Sequence, residues 1–184
     1  MKKILKSTIF MFAILLVLTG CGNNSTTIKA KEKSKEKCDV VECINKLDAK
    51  MSYEDINKVI GFKGKLSSED EDYKVYDWDL TDDTSISAQF MLETGNVVID
   101  ASFPDSLITK KADFSKYDQI KTKINNGETI TYNEVVKLFG NVEGILTKID
   151  SDTSTYKWVN KDGGYLSGYF DTKTKKCTMV TGAF

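Results

Sequence analysis

The chain carries one segment twice, and this duplication constrains its fold more than any other feature. The segment SYEDINKVIG at Ser52–Gly61 returns as TYNEVVKLFG at Thr131–Gly140. A Tyr-x-Trp motif follows each copy, ending at Trp78 and at Trp158, which are 80 residues apart. Self-similarity at a fixed period is typical of repeated structural units. The sequence therefore predicts two copies of one unit.

Each copied segment is predicted to be a helix, because side chains at its start form a capping motif. Ser52 precedes Asp55 by three residues, and Thr131 precedes Glu134 by three, which is the spacing of a capping box. Glycine follows each apolar helical pattern, at Gly61 and at Gly140, and predicts a left-handed helix end. Earlier helices are predicted at Val40–Leu47 and Phe114–Ile124. Each unit should thus open with a helix-loop-helix.

After the second helix of each copy, the apolar pattern changes to a period of two, which predicts strands. Short turns between these strands make an antiparallel arrangement necessary. We expect an α+β fold of two tandem repeats, each a helix-loop-helix packed on a four-stranded antiparallel sheet. Repeat 1 covers residues 38–103, a linker 104–112 and repeat 2 113–184. The predicted strands are Lys63–Glu69, Lys74–Leu80, Ser85–Leu92, Val97–Phe103, Glu143–Asp150, Thr155–Asn160, Tyr165–Asp171 and Cys177–Phe184.

The alternation also assigns side chains to the two faces of the sheets. Trp78 and Trp158 are expected in the core, because large rings dominate packing. Met179 falls in the same apolar set, and Cys177 stands where the first copy has Val97, so it is expected to be a buried free thiol. The opposite face is the predicted partner-binding surface, through Asp77, Asp79, Gln89, Met91, Lys157, Tyr169 and Val180.

The N-terminus indicates export. Lysines precede an apolar run, Ile9–Leu18, that is shorter than the about 20 residues a bilayer-spanning helix needs. The following Leu-Thr-Gly-Cys resembles the bacterial lipobox, which predicts a signal peptide at 1–20 and lipid attachment at Cys21. An uncleaved anchor is the alternative. Residues 21–37, rich in Ser, Thr, Lys and Glu, favour a flexible tether. We expect an exported protein, anchored to the cell membrane by a diacylglyceryl group and facing outward.

Composition argues against several function classes. The chain has no histidine and no arginine, which excludes a Ser-His-Asp nucleophile, an imidazole ligand and an arginine phosphate clamp. No enzymatic activity, cofactor or metal site is therefore expected. The acidic run Glu69–Asp72 lacks the alternating order of a calcium loop and is interpreted as a solvated turn. Met51–Phe103 holds twelve acidic residues and four lysines, which argues against nucleic acid as a partner. Cys38 and Cys43 either form a local disulfide or stay reduced, and the sequence leaves this open.

The duplicated helix-to-glycine motif with Tyr-x-Trp and a strand ending in Phe, across residues 38–184, resembles the two-repeat fold of beta-lactamase inhibitory protein. It is still more similar to a Gram-positive lipoprotein family of unknown function that shares that fold. The resemblance implies a sheet face presented to a protein partner. We expect a membrane-anchored surface lipoprotein that binds an unidentified protein at the cell envelope without catalysis. The alternative is a lipoprotein that binds a small ligand or peptide in a groove between the repeats.

Overall fold

One antiparallel sheet of eight strands, ordered as in the chain, organises the protein. The computed structural model describes residues 39–184, so the predictions for the signal peptide, Cys21 and the tether lie outside the described residues. The eight predicted strands are present with slightly shifted ends. They are β1 Lys65–Glu69, β2 Tyr73–Thr81, β3 Thr84–Met91, β4 Val97–Ser102, β5 Ile145–Ile149, β6 Thr153–Val159, β7 Tyr165–Asp171 and β8 Cys177–Ala183.

Four helices are present among the described residues: α1 Val40–Asn45, α2 Tyr53–Ile60, α3 Tyr117–Asn125 and α4 Tyr132–Leu138. Single 3₁₀ turns cover Asp105–Leu107 and Phe114–Lys116. Both capping boxes are confirmed. The Asp55 N–H donates to Ser52 Oγ at 3.2 Å, and the Ser52 N–H donates to Asp55 Oδ2 at 3.3 Å.

The expected fold class is wrong in its central statement. The strands do not form two four-stranded sheets with a helix-loop-helix each, because β4 pairs directly with β5 and joins all eight strands into one sheet. That junction pairs Ile99 with Ile149 and Asp100 with Lys148. Turn chemistry predicts contacts between strands that adjoin in sequence. The β4–β5 contact closes a connection of some forty residues, for which the sequence carries no local signal.

The core lies between the helices and one face of the sheet. Trp78 and Trp158 are 0% and 1% exposed, which confirms their assignment to the core. Each ring packs on the glycine that comes just before the preceding strand, Gly64 before β1 and Gly144 before β5, since a Cβ added there would lie 2.4 Å or 2.7 Å from the indole. One buried cluster joins α1 and α2 to β2–β5 and to Val159 of β6, and a second joins α3 and α4 to β6–β8.

The structure describes two of the cysteines, Cys43 and Cys177. Cys177 is buried and free, as expected. Cys43 is disulfide-bonded. Its partner lies outside the described residues, so the pairing of Cys43 with Cys38 stays a prediction.

Candidate binding face of the sheet

The side of the sheet away from Trp78 and Trp158 is called the open face here. Each strand contributes one side chain to a row that crosses this face in register. We call it the central row, and it consists of Lys65, Asp77, Ser87, Asp100, Lys148, Thr155, Tyr169 and Met179. The continuous sheet thus creates a surface that neither half would form alone.

The predicted binding residues are spread along the open face. Asp77 and Tyr169 both belong to the central row, but β2 and β7 are five strand spacings apart, or about 24 Å. Gln89 and Met91 lie on β3 to one side of the row, and Asp79 lies on β2 to the other. The structure therefore offers an extended contact surface and not a compact site.

Val180 was placed on the wrong face by the alternation. Residue 178 forms a bulge, since Tyr169 pairs with Met179 while Phe170 pairs with Cys177. A bulge adds one residue and reverses the facing of those that follow. Val180 is therefore buried, 7% exposed, whereas Met179, predicted for the core, is 45% exposed. No residue type at this position signals a bulge, so strict alternation could not reveal it.

The first half of the open face, β1–β4, is acidic. Asp79 pairs with Lys65 at 3.1 Å, and Asp100 pairs with Lys148 at 3.4 Å. Asp77 lies in the central row directly between Lys65 and Ser87. These ion pairs are largely exposed to solvent, and such pairs contribute only about 0–1 kcal/mol. The carboxylates can therefore exchange their lysine partners for a cationic group on another molecule at little cost.

In the second half, the segment 104–112 covers one end of the open face. Lys157 Nζ pairs with Asp105, and the Ala112 N–H donates to the Val159 carbonyl at 2.9 Å. Ile108 is buried in the same cluster as Ile145 and Val159. The segment is thus packed onto the sheet, and Lys157 already has a partner within the chain.

Sequence reasoning missed two exposed groups in the second half. Tyr165 is 42% exposed, with Lys157 Nζ 5.1 Å from the centroid of its ring. Met179 pairs across strands with Tyr169. The alternation of β7 could have placed Tyr165 beside Ser167 and Tyr169, whereas Met179 required the bulge. Together they make this half of the open face more apolar than the first.

The clearly shifted pKa values include those of a buried thiol and of several capping carboxylates. Burial raises the pKa of the Cys177 thiol to about 11, which makes it a poor nucleophile near neutral pH. The pKa values of Asp113, Glu134 and Asp171 are lowered, in each case chiefly because the carboxylate accepts a backbone N–H. These carboxylates cap turns and helices.

No group of three or more metal-ligating side chains is placed to hold an ion within residues 39–184. No helix in that range is long and apolar enough to cross a bilayer.

A cleft of about 510 Å³ lies where α1, the segment 107–110 and the start of β5 meet. Val41, Leu107, Ile108 and Ile145 supply its apolar surface. Asp39, Glu42, Lys46, Lys110 and Glu143 supply charged groups. This is the groove between the two halves on which the alternative ligand-binding hypothesis depends.

Comparison with known proteins adds no family. No family model, curated protein or solved structure matches the chain.

Proposed function

We propose that this chain is an exported lipoprotein, anchored through acylated Cys21, that binds a partner protein on its open sheet face without catalysis. The observation that carries the proposal is the central row. It crosses all eight strands, and over β1–β4 its side chains are intermediate to exposed. This extended polar surface favours binding over chemistry.

The size of the face suits a specific protein contact. Eight strands about 4.8 Å apart span about 34 Å, and strands of ordinary length give a face of roughly 700 Å². A standard interface buries about 800 Å² on each partner. The open face with its rim is therefore large enough for one such contact.

The charge of the first half indicates the partner's chemistry. Asp77, Asp79 and Asp100 would meet a surface rich in lysine or arginine. Complementary charge mainly accelerates association and is screened by salt. We expect binding that weakens as ionic strength rises.

Site-specific photocrosslinking tests the face in the lipidated protein within its own membrane. A photoreactive residue replaces Ser87, in the central row on β3, and the matched control replaces Asn133, which is exposed on α4. We expect an adduct from position 87 only, and about tenfold less of it in the double variant Asp77→Asn, Asp100→Asn. Glu54→Gln, on the helix side, should leave the yield unchanged. Equal adducts from positions 87 and 133 would refute the assignment of the face.

The anchor is tested separately. Cys21→Ser should move the protein from the membrane fraction to the soluble fraction, because the acyl chains are the proposed attachment. A variant that stays in the membrane would mean that the apolar run Ile9–Leu18 remains as an uncleaved anchor.

A second candidate function is supported by the cleft of about 510 Å³, which lies within the range of small-ligand sites. A small apolar molecule or peptide side chain would bind between Val41 and Ile145. Native mass spectrometry of protein taken from its own membrane should then detect a bound mass that Val41→Trp removes. Identical spectra for the variant and the parent protein, with no added mass, would exclude this candidate.

A further inference from the structure

At the β4–β5 junction, one side chain bonds the backbone at the start of β5. Asn45, the last residue of α1, bonds the segment that enters β5 through its side-chain amide. Its Nδ2 donates to the Gly144 carbonyl at 3.1 Å, and its Oδ1 accepts the Leu146 N–H at 2.8 Å. These two bonds satisfy backbone groups at the start of β5, before the strand pairs with β4. Helix α1, which precedes the first half of the sheet, thereby contacts β5, the first strand of the second half.

An asparagine occupies the equivalent position at the far end of the sheet. Asn125 is the last residue of α3, as Asn45 is of α1, and follows it by 80 residues. It lines a cleft of about 430 Å³ between α3 and Thr178–Gly182 of β8. β8 ends the order of strands, so within residues 39–184 no strand pairs with its outer edge.

Residues of β8 correspond to the residues of β4 that pair with β5. Val180 pairs with Gly168 on β7, as Ile99 pairs with Ala88 on β3. Thr181 likewise corresponds to Asp100. The outer edge of β8 therefore repeats the edge of β4, and it lies beside an equivalent asparagine.

The strand that fits this edge is also present in the chain, at the opposite end of the sheet. The sequence Gly64–Lys65–Leu66 occupies the positions of Gly144–Ile145–Leu146, 80 residues later. Both strands carry a bulge at the next residue, as the registers of β1 on β2 and of β5 on β6 show. Leu146 is 2% exposed, whereas Leu66 is 50% exposed. β1 thus leaves exposed a leucine whose counterpart in β5 is buried.

We propose that the edge of β8, with Asn125, binds strand β1 of a second copy of this chain. In this contact Val180 lies opposite Glu69 of the second copy and Thr181 opposite Ser68, while Asn125 bonds Gly64 and Leu66. The contact joins different surfaces of the two copies, so association is head to tail and open-ended. It lacks equivalents of the Ile99–Ile149 and Asp100–Lys148 pairs, which makes it weaker than the internal junction. Anchoring on one membrane offsets this weakness by raising the local concentration.

Disulfide trapping in the lipidated protein, in its own membrane, tests the pairing. One copy carries Ser68→Cys, the other carries Thr181→Cys, and both are mildly oxidised together. We expect a crosslinked dimer that contains one copy of each. Thr94→Cys, in the exposed turn before β4, is the matched control for chance collisions and should give only background with either variant.

Each other outcome overturns the proposal. Dimers from Ser68→Cys alone would mean that two β1 edges meet. Crosslinks from Thr181→Cys to a different protein alone would mean that β8 receives a foreign strand. A mixture that yields no more dimer than the Thr94→Cys control would mean that the copies do not associate through these edges.

The asparagine is tested by the yield of the crosslink between Ser68→Cys and Thr181→Cys in the membrane. Asn125→Ala removes two hydrogen bonds of the contact and should weaken self-association about tenfold. Asn126→Ala, one residue later and also exposed, should not change it. Equal association of the two variants would refute the role of Asn125, and the unfolding curve of each variant controls for damage to the fold.

Discussion

The two halves of the sheet bury an equivalent tryptophan with different partners. In the first half Trp78 Nε1 donates to the Asn57 side-chain oxygen at 2.9 Å, and the Gly64 N–H donates to the same atom at 3.0 Å. In the second half Trp158 Nε1 donates to the backbone carbonyl of Val142 at 2.9 Å. Asn57 Nδ2 is buried without a hydrogen-bond partner. The first half therefore uses a buried polar side chain where the second uses its backbone.

The aromatic rings that surround the two tryptophans also differ. Phe139 lies edge-on to Trp158, with centroids 5.5 Å apart, and Phe170 lies 6.3 Å from it. At the positions of these two rings, the first half has Ile60 and Phe90. Aromatic pairs add about 0.5–1.5 kcal/mol beyond the area they bury. The second half has the more apolar core, and the first half has the more polar open face.

Removal of each tryptophan should have the largest effect. Trp78→Ala and Trp158→Ala should each lower the free energy of unfolding by about 3–5 kcal/mol, through lost burial and the cavity left behind. Trp158→Ala should cost more, because more rings surround it. Both variants should unfold in one transition in guanidinium, followed by circular dichroism, since one sheet runs through both halves. Two separate transitions would show that the halves unfold independently.

The buried asparagine should have an intermediate effect that is confined to the first half. Asn57→Leu removes the acceptor for Trp78 Nε1 and the Gly64 N–H and should cost about 2 kcal/mol. Asn133→Leu, on the exposed surface of α4, is the control and should change stability by less than about 0.5 kcal/mol. Chemical unfolding measures both. A stabilised Asn57→Leu would mean that the unpaired Nδ2 outweighs the two bonds.

The capping boxes should give a smaller effect, similar in the two halves. Ser52→Ala and Thr131→Ala each remove an N-cap hydroxyl and should cost about 1 kcal/mol in chemical unfolding. An effect in one half only would show that one helix depends on tertiary contacts instead of its cap.

The smallest expected difference is in the acid titration of these boxes. The pKa of Asp55 is lowered from 3.8 to about 2, chiefly by the Ser52 side chain and then by Lys58. Its contribution to stability is present above about pH 4 and is lost as pH falls toward 2. The pKa of Glu134 is lowered chiefly by the Thr131 backbone N–H, which Thr131→Ala retains. Titration followed by carboxyl-carbon NMR should thus show a larger rise in the pKa of Asp55 in Ser52→Ala than in the pKa of Glu134 in Thr131→Ala. Equal rises in the two pKa values would contradict these different causes for Asp55 and Glu134.

The sequence predicted the local elements well because their signals are local. The capping pairs, the glycine helix ends and the eight strands depend on residues a few positions apart. The burial of Trp78 and Trp158 also followed from alternation. The exposed position of Val180 was predicted wrongly because one extra residue in β8 reverses the facing.

By itself, then, the sequence determined the order and approximate positions of the helices and strands, and that two tryptophans lie in the core. Only the tertiary structure decided that the strands form one sheet, that 104–112 covers one end of the open face, and that Asn45 receives β5. The physical reason is distance along the chain. Capping and turns are settled by neighbours in sequence, whereas the edge that β5 joins depends on which backbone groups are left unpaired once both halves have folded.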